Sequence, residues 1–236
     1  MTWSILARDP ATGEIGVAVA SRFLACGALV PRVYGGVGAA CTQALVNPFL
    51  APDALARMAA GERPRPALRA LIAADPGRGS RQVHVLSADG RIAQHTGSGC
   101  VGWCGHVEGP DVSVAGNMLA GQGVVQATLD AFIGSAGMPL AERLLCAMDA
   151  GDAAGGDWRG RQSAALLVAR QDAIADVDLR VDDHPDPLAE LRRILLVHRG
   201  YLQHFRRFLP ARTHPGVFDR AVLQAAVLAA QAERGP

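Results

Sequence analysis

Strand-like and helix-like periods come in pairs along this chain, and that order constrains the fold more than any single residue does. WSILARD (3–9) and EIGVAVA (14–20), both rich in Ile, Leu, Val and Ala, flank the turn-forming DPATG, the pattern of a β-hairpin. GVGAACTQ (36–43) is almost uniformly apolar, which predicts a strand buried on both faces in the middle of a sheet. After Pro52 the period changes. Leu55, Met58 and Ala59, then Leu68, Leu71 and Ile72, recur at helical spacing across a break at Pro64 and Pro66, so two short helices are expected.

RQVHVLSADGRIAQHTG (81–97) alternates at period two around Asp89-Gly90, which predicts a hairpin with a type I′ turn. DVSVAGNML (111–119) reads as one more strand, and GVVQATLDAFIGS with PLAERLLCAMDAG as a second helix pair punctuated by Gly134, Gly137 and Pro139. RQSAALLVARQ (161–171) and IADVDLRVD (174–182) form a further strand pair. Two amphipathic helices, PLAELRRILLVHRGYLQHFRRFL and FDRAVLQAAVLAAQAE, follow. Antiparallel hairpins alternating with paired helices predict two sheets face to face with helices on the outer faces. The expected class is α+β, a four-layer αββα sandwich of two antiparallel sheets in a single domain over 1–236, with C-terminal helices from about residue 187. A three-layer α/β fold is the competing architecture.

Charge narrows the partners. The chain has 23 basic and 22 acidic residues, spread evenly, so no electrostatic footprint for nucleic acid or an anionic membrane stands out. The N-terminus lacks a basic n-region, its apolar stretch is interrupted by Arg8, Asp9 and Glu14, and no apolar run reaches the roughly 20 residues that span a bilayer. A cytoplasmic protein acting on a small molecule is expected, with neither nucleic acid nor membrane as partner. The five cysteines are an odd number and scattered, which suits reduced thiols. The Cys100, Cys104 and His106 of CVGWCGH lack a second ligand pair, so no metal and no cofactor is expected.

Chemistry can be sought at five places. Thr2 follows a methionine that aminopeptidases remove efficiently before a small residue. The product would carry a hydroxyl and a free α-amine together, nucleophile and base in one residue. In GNMLAGQG (116–123) a strand gives way to a Gly-rich turn, and Asn117 and backbone N–H groups are candidates to face an oxyanion; the plainer reading is a strand-to-helix connection. GGDWRGRQS (155–163) crowds Asp157, Arg159 and Arg161 into one loop, where a guanidinium would suit a substrate carboxylate and Asp157 would hold it, or where a solvated loop carries a surface ion pair. Gln43 and Asn47 of CTQALVNP bind substrate polar groups or close the turn at Pro48. Asp182, Asp183 and His184 stand at a strand end before two prolines, as metal ligands or acid/base groups or as the connector that caps the next helix.

Taken together, MTWSILARDPATGEIGVAVASRF, GVGAACTQALVNP, RQVHVLSADGRIAQHTGS, VAGNMLAG, GGDWRGRQSAALLV and LRVDDHPDPLAELRRIL resemble, in this order, the bacterial domain-of-unknown-function family numbered 1028, up to about His198. The resemblance implies an N-terminal-nucleophile (Ntn) hydrolase-like fold. The opening is also similar to a proteasome-type subunit, in which a Thr precedes such a hairpin. There an Asp ends the return strand and a later Lys tunes the nucleophile; here Ser21 and Arg22 stand where that Asp would be, and Arg22 is the group left to lower the amine's pKa. The expected activity is cleavage of an amide in a small carboxylate-bearing molecule by Thr2 with Asn117, and with Ser21, Arg22, Gln43, Asn47, Asp157, Arg159 and Arg161 on the substrate. The alternatives are the same scaffold with a different hydrolytic site, or a non-catalytic binding or oligomeric protein. Leu188, Leu191, Ile194 and Leu195, then Val222, Leu223, Ala226 and Val227, are expected to cover a sheet, and a surplus apolar face would make a homo-oligomer, a dimer.

Overall fold

The computed structural model describes residues 2–172, 174–211 and 214–232. Strands β1 (Thr2–Asp9) and β2 (Glu14–Ser21) form the expected hairpin. A short α1 (Cys26–Leu29) leads to β3 (Pro31–Tyr34) and β4 (Gly38–Ala44). Helices α2 (Leu50–Ala59) and α3 (Pro64–Ala74) come next, α3 opening on a proline whose missing N–H costs a helix nothing at its first turn. Then follow β5 (Arg81–Ser87), β6 (Ile92–Thr96), β7 (Trp103–Gly109), β8 (Val112–Leu119), α4 (Gln122–Gly134), α5 (Leu140–Ala153), β9 (Ser163–Ala169) and β10 (Val177–Val181).

The strands make a six-stranded sheet, β10-β9-β2-β1-β8-β7, and a four-stranded sheet, β3-β4-β5-β6, every pairing antiparallel. The sheets face each other, α4 and α5 cover the larger one and α2 and α3 the smaller. This is the α+β, four-layer αββα sandwich read from the pairing of periods. β4 lies mid-sheet and is buried on both faces as its uniform apolar run predicts. Two strands were not anticipated: β3, only four residues long, and β7, whose WCGHVEG alternates only weakly, with Trp103 and Val107 set against Cys104, His106 and Glu108.

The β5–β6 turn corrects the type I′ expectation. That turn needs positive φ at both central residues, yet only Gly90 has it (φ 87°), and Gly90 N–H donates to the Ser87 carbonyl at 2.9 Å. Three loop residues therefore make a type I turn ending in a left-handed glycine. Packing in the outer layer is equally close. A Cβ on Gly151 of α5 would lie 2.3 Å from the Thr128 hydroxyl and 2.9 Å from the Trp3 indole nitrogen, so the helix pair seats on β1 only with glycine there.

These elements belong to a compact unit that ends at Leu191; a second unit spans Arg192–Pro236. α6 (Pro187–Val197) starts with the Asp186 carboxylate accepting the Ala189 N–H at 3.2 Å, an N-cap. In the second unit the single helix expected to run on to Leu209 instead passes through a π-helical turn (His198–Leu202) into α7 (Gln203–Arg206), with Tyr201 and Phe205 stacked at 5.8 Å; α8 spans Arg220–Ala232. Among the described residues no helix is long and apolar enough to cross a membrane.

Candidate functional site

Strand register brings the site together. Thr2 pairs with Ser21 on one side and Asn117 on the other, and Ser21 pairs with Ser163, so four polar residues form a row across β9, β2, β1 and β8. Directly paired residues share a face. The Thr2 hydroxyl lies 3.1 Å from the Ser21 hydroxyl, and both residues are buried. Ser163, in none of the expected site roles, donates to the Phe23 carbonyl and accepts from the Cys26 N–H at 3.1 Å, fixing the loop that leaves β2. Met1, whose removal an N-terminal nucleophile requires, lies outside the described residues.

The loop 155–162 folds over this end of the sandwich. Asp157 accepts the backbone N–H groups of Arg22 and Arg159, both at 2.9 Å, and the Arg159 guanidinium at 3.3 Å. Its carboxylate is a staple between two loops, nearly buried and fully occupied. Arg161 pairs with Asp152 and Asp186, and its carbonyl accepts from the Arg22 guanidinium at 3.2 Å. Of the three arginines, Arg22 alone has no carboxylate partner among the described residues, and it is exposed. Asp183 accepts from the Gln162 amide, and His184 Nδ1 accepts the Asp186 N–H; with the cap on α6, these polar groups at the end of β10 tie the connector together.

Gln43 and Asn47 are both engaged within the protein. Gln43 is wholly buried: its oxygen accepts from Ser4, and its nitrogen donates to Gln82 and to the Ala115 carbonyl. Asn47 closes the turn before α2, its oxygen accepting the Phe49 N–H and its nitrogen donating to Asp75. The Arg81 guanidinium hydrogen-bonded to Asp75 holds that carboxyl down at about 2. Asn117 donates to Gln82 at 3.0 Å and, at 3.4 Å, towards the Thr2 carbonyl. The backbone N–H groups of Met118 and Ala120 are taken by the Val101 and Gly156 carbonyls. The strand runs to Leu119, as read from DVSVAGNML.

Gln82, His84, Ser4 and Ser113 form the part of the site's surroundings that sequence reading missed. Gln94 donates to Ser113, Ser113 hydrogen-bonds His84 Nδ1, His84 Nε2 meets Ser4, and Ser4 donates to Gln43, with distances of 2.8–2.9 Å throughout. Because the Ser4 proton goes to Gln43, Ser4 accepts from His84, which places the imidazole proton on Nε2 and makes Ser113 the donor to Nδ1. Burial pushes the His84 pKa down to about 3, in keeping with a neutral ring. The period-two run RQVHVLS held the signal: Gln82 and His84 share one face, and a face carrying polar residues at that spacing reads as solvent-exposed unless a second sheet lies against it.

Two of the four non-glycine residues with left-handed φ among the described residues, Ala44 (70°) and Met118 (52°), directly follow Gln43 and Asn117. Each costs roughly 1–2 kcal/mol, a strain that gathers at functional sites. Six large apolar side chains also lie on the loops at this end: Phe23, Leu24, Leu45, Phe49, Val101 and Trp158, each more than half exposed. Among the described residues no three His, Cys, Asp or Glu side chains are grouped to hold a metal ion.

No curated protein matches the chain. A crystal structure of a Silicibacter pomeroyi protein assigned to a family of unknown function, DUF1028, is 31% identical, with a TM-score of 0.85 over 93% of this chain and 96% of that one. Anbu, an ancestral β-subunit from Yersinia bercovieri, aligns over 89% of this chain and 98% of its own at 12% identity and a TM-score of 0.40. The model of the family of unknown function DUF1028 matches residues 2–191, and the chain belongs to that family.

Proposed function

We propose that the Thr2 end of the sandwich is the reaction centre of an N-terminal-nucleophile amide hydrolase. The observation that carries this reading is the Thr2 hydroxyl, placed at the first residue of a central strand and 3.1 Å from Ser21 in a row that ends at Asn117. A rigid strand fixes the nucleophile as catalysis requires. With Met1 gone, the Thr2 α-amine takes the hydroxyl proton as Oγ1 bonds to the substrate carbonyl carbon, then gives that proton to the nitrogen as the C–N bond breaks. Water next attacks the ester, releases the acid and restores the hydroxyl. Ser21 holds the Thr2 hydroxyl in line. Asn117 positions the Thr2 backbone, its donors being directed at Gln82 and the Thr2 carbonyl rather than at an oxyanion.

Arg22, exposed and without an acidic partner among the described residues, is the group best suited to a substrate carboxylate. The apolar rim favours a substrate with an apolar side chain or acyl group. Intact mass of the purified protein and turnover of a panel of N-acyl amino acids test the reading together. Expected are loss of one methionine and an activity that falls at least a hundredfold in Thr2→Ala with its methionine still removed. Equal activity in Thr2→Ala, or in a chain extended at its N-terminus, would sink the Thr2 mechanism. Activity surviving in the extended chain would favour a second hydrolytic site on the same scaffold, whereas binding without turnover would favour a carrier.

A further inference from the structure

A groove of about 750 Å³ opens on the first unit between α3 and the facing edge strands β6 and β7. No residue of the Thr2 row lines it. Its size is that of small-molecule sites, roughly 300–1,000 Å³. We propose that it binds a small amphipathic carboxylate, an apolar body with one anionic head.

Helical spacing makes the wall. Arg65, Leu68, Arg69, Ile72 and Ala73 recur at three- and four-residue steps, so one face of α3 carries two guanidinium groups over two buried aliphatic side chains. Arg65 and Arg69 are both exposed, and neither has an ion-pair partner among the described residues; Arg57, on the neighbouring helix, pairs with Glu62. Residues four apart on a helix stand about 5–6 Å apart at Cβ, close enough for both guanidinium groups to grip one carboxylate, the planar acceptor their forks match. The floor is Leu68, Ile72 and Ala93, and the far wall is Gln94, His95, His106 and Glu108. Glu108 is the one acid in the lining, against two arginines, so the groove favours an anion. The apolar part of the lining sets the second requirement, because a bare inorganic anion would leave Ala73, Ile92 and Val107, which the fold does not bury, uncovered.

Both requirements can be separated by titrating the isotope-labelled full chain with octanoate, octanol and acetate and following the amide resonances of α3, β6 and β7. Octanoate should saturate and shift those resonances, with octanol and acetate each at least tenfold weaker. The Arg65→Gln/Arg69→Gln variant should weaken octanoate at least tenfold. Arg63→Gln, which changes a cation outside the groove, should leave it unchanged, with thermal unfolding of each variant checking that the fold is kept. Octanol binding as tightly as octanoate, shifts outside the groove, or a double variant that binds octanoate like the parent would overturn the proposal. The readout is binding alone, so it stands or falls apart from the chemistry of Thr2.

Discussion

The layer between the two sheets has two halves built on opposite rules. Where β2 and β9 face β3 and β4 it is aliphatic, with Ile15, Val17, Val19, Val33, Ala165 and Leu167 packed together and Leu6 and Leu86 at the seam. Where β1 and β8 face β5, with Gln43 of β4 between, it is polar: Ser4, Gln82, His84, Ser113 and Asn117 are as buried as the aliphatic side chains. The first half needs only volume and shape, because dispersion and water exclusion have no direction. The second needs every donor matched to an acceptor, since a buried polar group left unpaired costs more than a made hydrogen bond contributes. Such a network fixes positions more tightly than an aliphatic core, and Thr2 and Asn117 stand at its end.

The largest expected effect breaks the aliphatic half. Leu6 is fully buried, and Leu6→Ala should lower the stability read from urea unfolding by about 2–5 kcal/mol, a transfer loss plus the cavity left behind. The acid sensitivity attributed below to His84 should be untouched by it. A loss under about 1 kcal/mol would mean that the sheets close over the gap, and that this half is the softer one.

Next in size is the acid response of the polar half. The His84 pKa lies near 3 in the folded chain and near the ordinary 6.5 when unfolded. Between those values the unfolded chain binds a proton that the native one excludes, so stability is complete above 6.5 and is lost as pH falls through the window. At pH 4.5 the loss should be about 2–3 kcal/mol. Urea unfolding of the parent and of His84→Gln at pH 7.5 and 4.5 isolates it, because carboxyls such as Asp75 titrate in both proteins and cancel in the difference. Equal pH dependence in the two proteins would show that His84 already carries its proton, or meets water, in the native state.

The halves were unequally legible in the sequence for the same reason that they differ physically. Aliphatic strands announce themselves: GVGAACTQ and EIGVAVA led directly to the pairing of sheets and the layer order, and to β4 at mid-sheet. Thr2, Ser21, Arg22, Asn117, Asp157 and Arg159 could be chosen because strand ends and Gly-rich loops gather at one end of a sandwich, and register does bring them there. What could not be read was burial of polar side chains. Gln43 reads as a residue that could meet a ligand, and nothing in the alternation around Gln82 and His84 marks them as buried, because the sheet that covers them is distant in sequence. The occupied carboxylate of Asp157 and the engaged amide of Asn117 are likewise facts of tertiary pairing that spacing does not encode.

The smallest of the three effects tests whether the polar half acts as one directed chain. Ser4 donates to the Gln43 oxygen and accepts from His84 Nε2, both inside the sandwich. Ser4→Ala changes volume by one atom but strands a buried N–H and a buried carbonyl, so it should cost about 1–3 kcal/mol, less than Leu6→Ala despite the greater number of broken hydrogen bonds. The imidazole nitrogen chemical shifts carry the direction: the parent should show the proton on Nε2, held by Ser4 and by the Ser113 hydroxyl on Nδ1. A parent ring protonated on Nδ1 would reverse the chain, with Ser4 then donating to His84 and the Gln43 oxygen left without its donor. A Ser4→Ala protein as stable as the parent would remove the distinction altogether, since a half that tolerates an unpaired buried imidazole is held by volume like the other.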